Sequence, residues 1–343
     1  MKKTFKKLSA LSVAAIMLFS VTGCGAQFNN IGSTVGNLQN DAQVTYQDGT
    51  TFYLHDGDVY KTKDVNKKGE KILSGDISNI NITGEKIYYY DNSISTICKA
   101  NTSGEKIDRI AELYCDEFVV AKDNIYAMIL TGQGSEDLND PDNYNIVRMK
   151  ITDRKIANTM PKSVIEKGKL IGCIGDSIYV IKNAKNSKAV YKTDFDGKNE
   201  TKLFDLSDDA KVVGDSKGFV VLGTVDKQFG LYSYTPEGKF DKMLSKLKKN
   251  KSEDGNALNM DSKYVYYEDY AAKKVTKKKK SKKYKVADNL LRIKRDGTGI
   301  EHIMKNKENM DYKIAIGNNG VMVKAKSAGN LDADPIWKGL EAK

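Results

Sequence analysis

The chain reads as all-β, a β-propeller in which four-stranded sheets stand side by side in a closed ring. The first observation is recurrence. Apolar or aromatic strand starts return at Thr51-Phe52-Tyr53, Ile87-Tyr88-Tyr89, Ile125-Tyr126, Ile178-Tyr179, Phe219-Val220, Val265-Tyr266-Tyr267 and Val321-Met322. Six of these follow turn residues such as Asp48-Gly49, Gly84, Asp123-Asn124 and Asn319-Gly320. The second is register. A further strand follows, with an apolar residue seven positions before a turn residue in Ile97/Gly104, Ile146/Asp153, Val190/Gly197, Leu231/Gly238 and Leu290/Gly297. The third is that residues 44 to 343 hold no apolar 3.6-residue period over a normal helix length. A single four-stranded sheet cannot bury both faces, whereas a ring of them stacks face on face and hides its edges.

In chain order, the first element is an export signal. Lys2, Lys3, Lys6 and Lys7 lead into the apolar run from Leu8 to Phe19, which is too short to span a bilayer as a stable anchor. Val21-Thr22-Gly23-Cys24 closes it and is similar to a bacterial lipobox, whose cysteine becomes the lipidated N-terminus after cleavage. Only a thiol can take the thioether-linked diacylglycerol. Residues 1–23 are therefore expected to be a lipoprotein signal peptide, with Cys24 acylated and the protein held outside the cytoplasm on the cell membrane. Residues 24–43, rich in Gly, Asn and Gln, are expected to be a flexible tether reaching on the order of 25 Å. Residues 44–343 are expected to be one propeller domain.

Within that domain each unit has a turn, a strand, the strand in strict register, and a short closing strand: Lys106-Ile107, Lys155-Ile156, Lys202-Leu203, Met243-Leu244 and Ile300 to Ile303. Asp196-Gly197 and Asp296-Gly297 are strong hairpin turns, because Gly tolerates the positive φ that tight turns require. Lys99, Lys192 and Arg292 fall at one place in the repeat. Seven starts favour seven blades, with six possible. Residues 311–343 give a partial last unit, expected to be completed by the N-terminal strand near Val44. Tyr88-Tyr89-Tyr90 and Tyr264-Val265-Tyr266-Tyr267 are expected to pack between blades rather than to stack on sugars, and Trp337 to seal the last unit.

These residues carry a more specific resemblance. Ile87-Tyr88-Tyr89-Tyr90-Asp91 followed by Ile97-Cys98-Lys99-Ala100-Asn101-Thr102-Ser103-Gly104 resembles the YWTD-type repeat of low-density-lipoprotein-receptor-related β-propellers. Val265-Tyr266-Tyr267-Glu268-Asp269 and Val190-Tyr191-Lys192-Thr193-Asp194-Phe195-Asp196-Gly197 match its two halves again. The resemblance covers most of residues 44 to 305. It lacks the repeat's Trp and the cysteine-rich modules of the animal relatives, and is nearer to bacterial exported propellers of unassigned role. It implies the fold and no ligand.

The charge is localised. The net +11 falls to +7 without the four lysines of residues 1–23, and the nine lysines of residues 273–285 leave −2 for everything else. The mean hydropathy of −0.53 leaves no further membrane span. Five arginines against many lysines argue against bidentate reading of bases or phosphates, and export makes nucleic acid an improbable partner. Cys98, Cys115 and Cys173 are expected to be buried strand thiols, a Cys98–Cys115 bridge being the alternative. His55 and His302 are too few for a histidine cage.

Two insertions, residues 131–145 and 270–289, fall between a second and a third strand and are expected on one face, where long loops on a rigid scaffold carry binding. Lys273, Lys274, Lys277, Lys278, Lys279, Lys280, Lys282, Lys283 and Lys285 form either a solvated loop or a patch for an anionic polymer or lipid. Asp137, Asn139, Asp140 and Asp142 offer oxygens of the kind calcium prefers. An EF-hand loop starting at Asp137, however, puts Pro141 fifth, Asp142 where Gly is wanted and Arg148 at the terminal Glu position. A plain polar loop is the expectation, and no cofactor is assigned.

No G-x-S-x-G elbow, histidine cluster or sialidase-type box is present, so the chain is expected not to be an enzyme. The expectation is a membrane-anchored extracytoplasmic binding or scaffold protein that uses one propeller face for a protein partner. The alternative is a glycan, wall-polymer or anionic-lipid binder acting through the Lys-rich insertion.

Overall fold

The computed structural model describes residues 31–131, 137–152, 161–249, 256–275, 283–305, 310–327 and 338–340. Trp337 lies outside them.

Six sheets have four antiparallel strands in sequential order. The first comprises Val44–Gln47, Thr50–His55, Asp58–Thr62 and Glu70–Leu73, and the second Ile77–Thr83, Lys86–Asp91, Thr96–Asn101 and Asp108–Glu112. The third comprises Glu117–Ala121, Asn124–Leu130, Tyr144–Lys150 and Ser163–Glu166, and the fourth Lys169–Ile174, Ser177–Asn183, Lys188–Asp194 and Thr201–Leu206. Lys211–Asp215, Gly218–Val225, Gln228–Tyr234 and Phe240–Lys246 form the fifth. Leu258–Met260, Tyr264–Val275, Lys283–Lys294 and Glu301–Lys305 form the sixth. A three-stranded sheet of Met310–Gly317, Gly320–Ser327 and Lys338–Leu340 follows.

The fold is thus an all-β propeller of four-stranded blades, but with six complete blades among the described residues rather than the favoured seven. The expected closure is also corrected. Val44–Gln47 pairs with Thr50–His55 as the innermost strand of the first blade and does not complete the last sheet. That sheet instead meets its neighbours through side chains. Tyr312, Ile314 and Ile316 pack with Tyr266 and Leu290 of the sixth blade, and Ala315 and Met322 pack with Val44 and Tyr53 of the first. Hydrophobic burial therefore joins the ends, each fully buried side chain contributing about 1.5–3 kcal/mol.

The same packing repeats around the ring, each apolar cluster lying between two adjacent sheets. Tyr88, Tyr90 and Ile97 meet Phe118, Val120 and Ile125 between the second and third blades. The tyrosine runs are core, as their strand positions predict. Cys98, Cys115 and Cys173 are free, buried thiols, with no Cys98–Cys115 bridge.

The repeat's recurring residues have structural explanations. Gly104 and Gly197 turn the third strand into the fourth at φ 84° and 75°. A Cβ on either would lie 1.8 Å from a carbonyl oxygen of the preceding blade, Ile72 or Val164. Only glycine satisfies both the left-handed φ and this approach. The recurring cation is a cross-strand partner: Lys99 faces Asp108 at 3.9 Å, and Arg292 donates from Nε to Glu301 at 2.7 Å. Lys61 and Glu70 repeat the pair at 3.4 Å, while Lys192 faces Thr201. Opposed charges on neighbouring strands fix register more than they add stability.

Residues 31–43 depart from the tether expected over 24–43. Ile31, Val35, Leu38, Asn37, Asn40 and Ala42 are buried, and a short helix, Val35–Leu38, sits among the innermost strands of several blades. The segment runs antiparallel to those strands. Ile31 bridges Ala121, the last residue of its strand, whereas Gln39 donates to Leu170 and Ile171 and Asn40 to Leu258, near strand starts. The Asn and Gln residues that suggested flexibility are hydrogen-bonded cross-links. Asn37 donates to the Ile316 carbonyl and accepts from its N–H, both at 2.8 Å, and Asn259 Nδ2 donates to Asn37 Oδ1 at 3.1 Å. Buried backbone groups facing the channel need such partners, and a polar segment supplies them where an apolar plug could not.

Candidate functional site: a charged axial cleft

The plug leaves one end of the channel as a cleft of about 1300 Å³. Its floor is Leu38 to Asp41, and its walls are the starts of the innermost strands. Strand starts stand at the mouth, where side chains can stay wet, and the first residues of three innermost strands are Glu117, Lys169 and Lys211. Asp116, Asp137, Asp140, Asp208, Asp209, Lys188, Lys249 and Lys313 add to the charged lining, and Met128, Leu206, Phe229 and Leu258 supply apolar wall.

Several charges are already paired. Lys313 bonds Asp41, and Lys249 lies 2.9 Å from Asp209. Glu117 differs: its Oε1 is fully buried and has no hydrogen-bond partner among the described residues. Burial pushes the Glu117 carboxyl well above the usual range, and nearby Asp41 adds to the effect while Lys169 opposes it. Burial in turn lowers Lys169, whose Nζ donates to the Leu138 carbonyl at 3.0 Å and lies 5.2 Å from the Tyr144 ring centre. Tyr144 is pushed up to about 12 by burial.

The loop after Leu130 folds over this mouth. Lys188 Nζ donates to the Asn139 carbonyl at 3.0 Å, a second tie beside that of Lys169. Asp137 accepts from the Asn139 N–H, and Asp140 accepts from the Asp142 N–H and from Asn183 Nδ2. These bonds hold Asp140 below the usual carboxylate range. Asp142 lies 3.9 Å from Lys167. Asp137 and Asp140, considered for calcium, thus cap turns, the second at a short 3-10 turn over Pro141–Asn143, and no His, Cys, Asp and Glu grouping among the described residues fits a metal.

The Lys-rich segment is placed differently from a loop insertion. The second and third strands of the sixth blade continue as a backbone ladder from Asp269↔Asn289 to Val275↔Lys283, carrying Lys273, Lys274, Lys283 and Lys285. Lys277, Lys278, Lys279, Lys280 and Lys282 lie outside the described residues, as does Cys24. Both expected insertions leave the cleft-bearing face, from the third and sixth blades. Sequence reasoning missed Glu117, Lys169 and the cleft floor. The available signal was a charged residue opening each of three buried apolar strands, and Val35 with Leu38 inside an otherwise polar segment.

No protein-family model matches the chain, and no curated protein matches it in sequence. Solved structures do. An acylaminoacyl peptidase from Pyrococcus horikoshii is similar over 91% of this chain and 53% of its own, at 12% identity and a TM-score of 0.57. A puromycin hydrolase is similar over 89% of this chain and 53% of its own, at 8% identity and a TM-score of 0.55. An oligogalacturonate lyase from Vibrio parahaemolyticus is similar over 86% of this chain and 87% of its own, at 10% identity and a TM-score of 0.52. The chain spans about half the length of the two hydrolases. These likenesses show the propeller fold. They also correct the expectation that the chain is not an enzyme: peptidases are among its structural neighbours, so missing sequence motifs do not set it apart from enzymes.

Proposed function

We propose that this protein is a membrane-anchored extracytoplasmic binding or scaffold protein that holds a protein partner on its cleft-bearing face. The observation that carries the reading is the composition of that face. A cleft with both charge signs and a buried, unpartnered carboxylate oxygen adjoins two exposed apolar side chains, Tyr114 at 68% and Leu138 at 57% exposure. Aromatic and aliphatic anchors beside satisfiable polar groups are the makings of a protein interface. The lipobox-like Val21-Thr22-Gly23-Cys24 supports the anchor, and the YWTD-like repeat brings no ligand with it.

A photo-cross-linking residue at Leu138, in cells making the full chain, tests this. Recovery of one or two proteins joined there supports the partner reading. Labelling of the site with no protein joined contradicts it.

The second reading is a glycan, wall-polymer or anionic-lipid binder, favoured by the lysines carried beyond the cleft face on the sixth-blade ladder. Changing Lys277, Lys278, Lys279, Lys280, Lys282 and Lys283 to Gln then abolishes retention on isolated walls or anionic vesicles, and salt does the same. Retention that persists in high salt contradicts it.

A further inference from the structure

The channel plug has a direction, and the direction orients the molecule. Ile31 bridges Ala121, and Gly32 N–H donates to the Val120 carbonyl, at the far end of that innermost strand from the cleft. Ile31, the first described residue, therefore lies at the face formed by the turns between first and second strands and between third and fourth strands. Ile31 is seven residue steps from Cys24, and extended chain spans at most about 3.6 Å per step, so Cys24 stays within about 25 Å of where Ile31 lies.

The same face presents exposed apolar side chains at one place in the repeat. Ile107, Phe240 and Ile300 are 58%, 54% and 54% exposed, and each follows the hairpin glycine of its blade by two or three residues: Gly104, Gly238 and Gly297. Exposed Lys106 and Lys239 directly precede the first two. An apolar side chain beside a long amine suits the bilayer interface, where the ring or branched chain enters the acyl boundary and the amine stays among phosphates. Single exposed apolar residues are ordinary on any surface. Here three recur at one repeat position on the face where Ile31 lies.

We propose that this hairpin face rests on the bilayer that holds acylated Cys24, with Ile107, Phe240 and Ile300 dipping into its interface. The proposal rests on the lipid-anchor reading above. The cleft then opens away from the membrane. The sixth-blade ladder projects further the same way, since six residue pairs beyond Asp269↔Asn289 at about 3.3 Å each carry it about 20 Å outward. The ladder carries the backbone of Lys273, Lys274, Lys283 and Lys285 away from the chain's own membrane, so a wall polymer or glycan fits them better than lipid of that membrane.

The test uses the full acylated chain in phosphatidylglycerol-containing vesicles with a brominated lipid. Because Cys98, Cys115 and Cys173 are buried, a thiol-reactive dye can be placed singly at Ile107→Cys, Phe240→Cys, Ile300→Cys and, on the cleft face, Leu138→Cys. Unchanged thermal melting confirms that each variant folds. Quenching several-fold stronger at the three hairpin positions than at Leu138→Cys is expected. Equal quenching, or stronger quenching at Leu138→Cys, overturns the orientation. The mass of the N-terminal peptide separates the two readings: an acylated Cys24 with equal quenching sinks the orientation alone, and an unmodified Cys24 sinks the anchor and the orientation together.

Discussion

At the residue scale, two kinds of position carry the account, hairpin glycines and the buried carboxylate. Gly197→Ala must take both a left-handed φ and a Cβ 1.8 Å from the Val164 carbonyl oxygen, so blade and neighbour both shift. Gly84→Ala takes only the φ, 56°, with open space around it. Left-handed backbone alone costs about 1–2 kcal/mol, and overpacking adds about 1–3 kcal/mol. Denaturant titration should therefore show Gly197→Ala losing clearly more stability than Gly84→Ala; equal losses would mean that the blades do not approach this closely.

For Glu117 the sign follows from proton counts. Its native carboxyl is raised by burial, whereas the unfolded chain releases that proton near the ordinary value of about 4.3. Between those two values the native state holds the extra proton, so this residue's contribution falls as pH rises through the window. Glu117→Gln removes that fall. Melting temperatures measured from pH 4 upward should show the variant gaining on the wild type as pH rises, and a constant difference would mean that Glu117 titrates normally in the fold.

At the element scale, the second and third strands were legible, because their periodicity and turn glycines are local signals. Of the short closing strands, Lys202-Leu203, Met243-Leu244 and Ile300 to Ile303 fall on fourth strands, Lys106-Ile107 stops just before Asp108–Glu112, and Lys155-Ile156 lies outside the described residues, the fourth strand of that blade being Ser163–Glu166. All seven starts read from the sequence are second strands of their sheets. The innermost strands were not legible, because Ile77–Thr83 interleaves Ser and Asn with its apolar residues and Lys211–Asp215 is only five residues long, with a charge at each end. The plug was misread for a physical reason. Its Asn and Gln side chains are polar in composition yet bond inward to backbone groups 131 to 279 residues away, and sequence separation hides such pairings. Asn37→Ala leaves both the N–H and the carbonyl of Ile316 without this partner. At about 1–3 kcal/mol for each stranded group, a loss of about 3 kcal/mol is expected in urea unfolding. A loss below about 0.5 kcal/mol would show that the segment does not occupy the channel.

At the scale of the whole molecule, the plug gives a symmetric ring two unlike ends. One end holds Ile31 and carries Ile107, Phe240 and Ile300; the other holds the cleft, Tyr114, Leu138 and the lysine-bearing ladder. The sequence showed that both insertions share a face. Which end of the ring Ile31 stands at could not be read there, since it depends on how residues 31–43 thread the ring. A segment built into the core fixes that geometry, and a floppy tether would not. Hydrogen exchange of the native protein, followed by mass spectrometry over residues 31–43, is the most direct check. Amides protected on the timescale of Ile77–Thr83 and Lys169–Ile174 are expected, because only near-global opening would release them. Complete exchange within seconds, while those strands stay protected, would contradict the plugged ring and the two-ended molecule built on it.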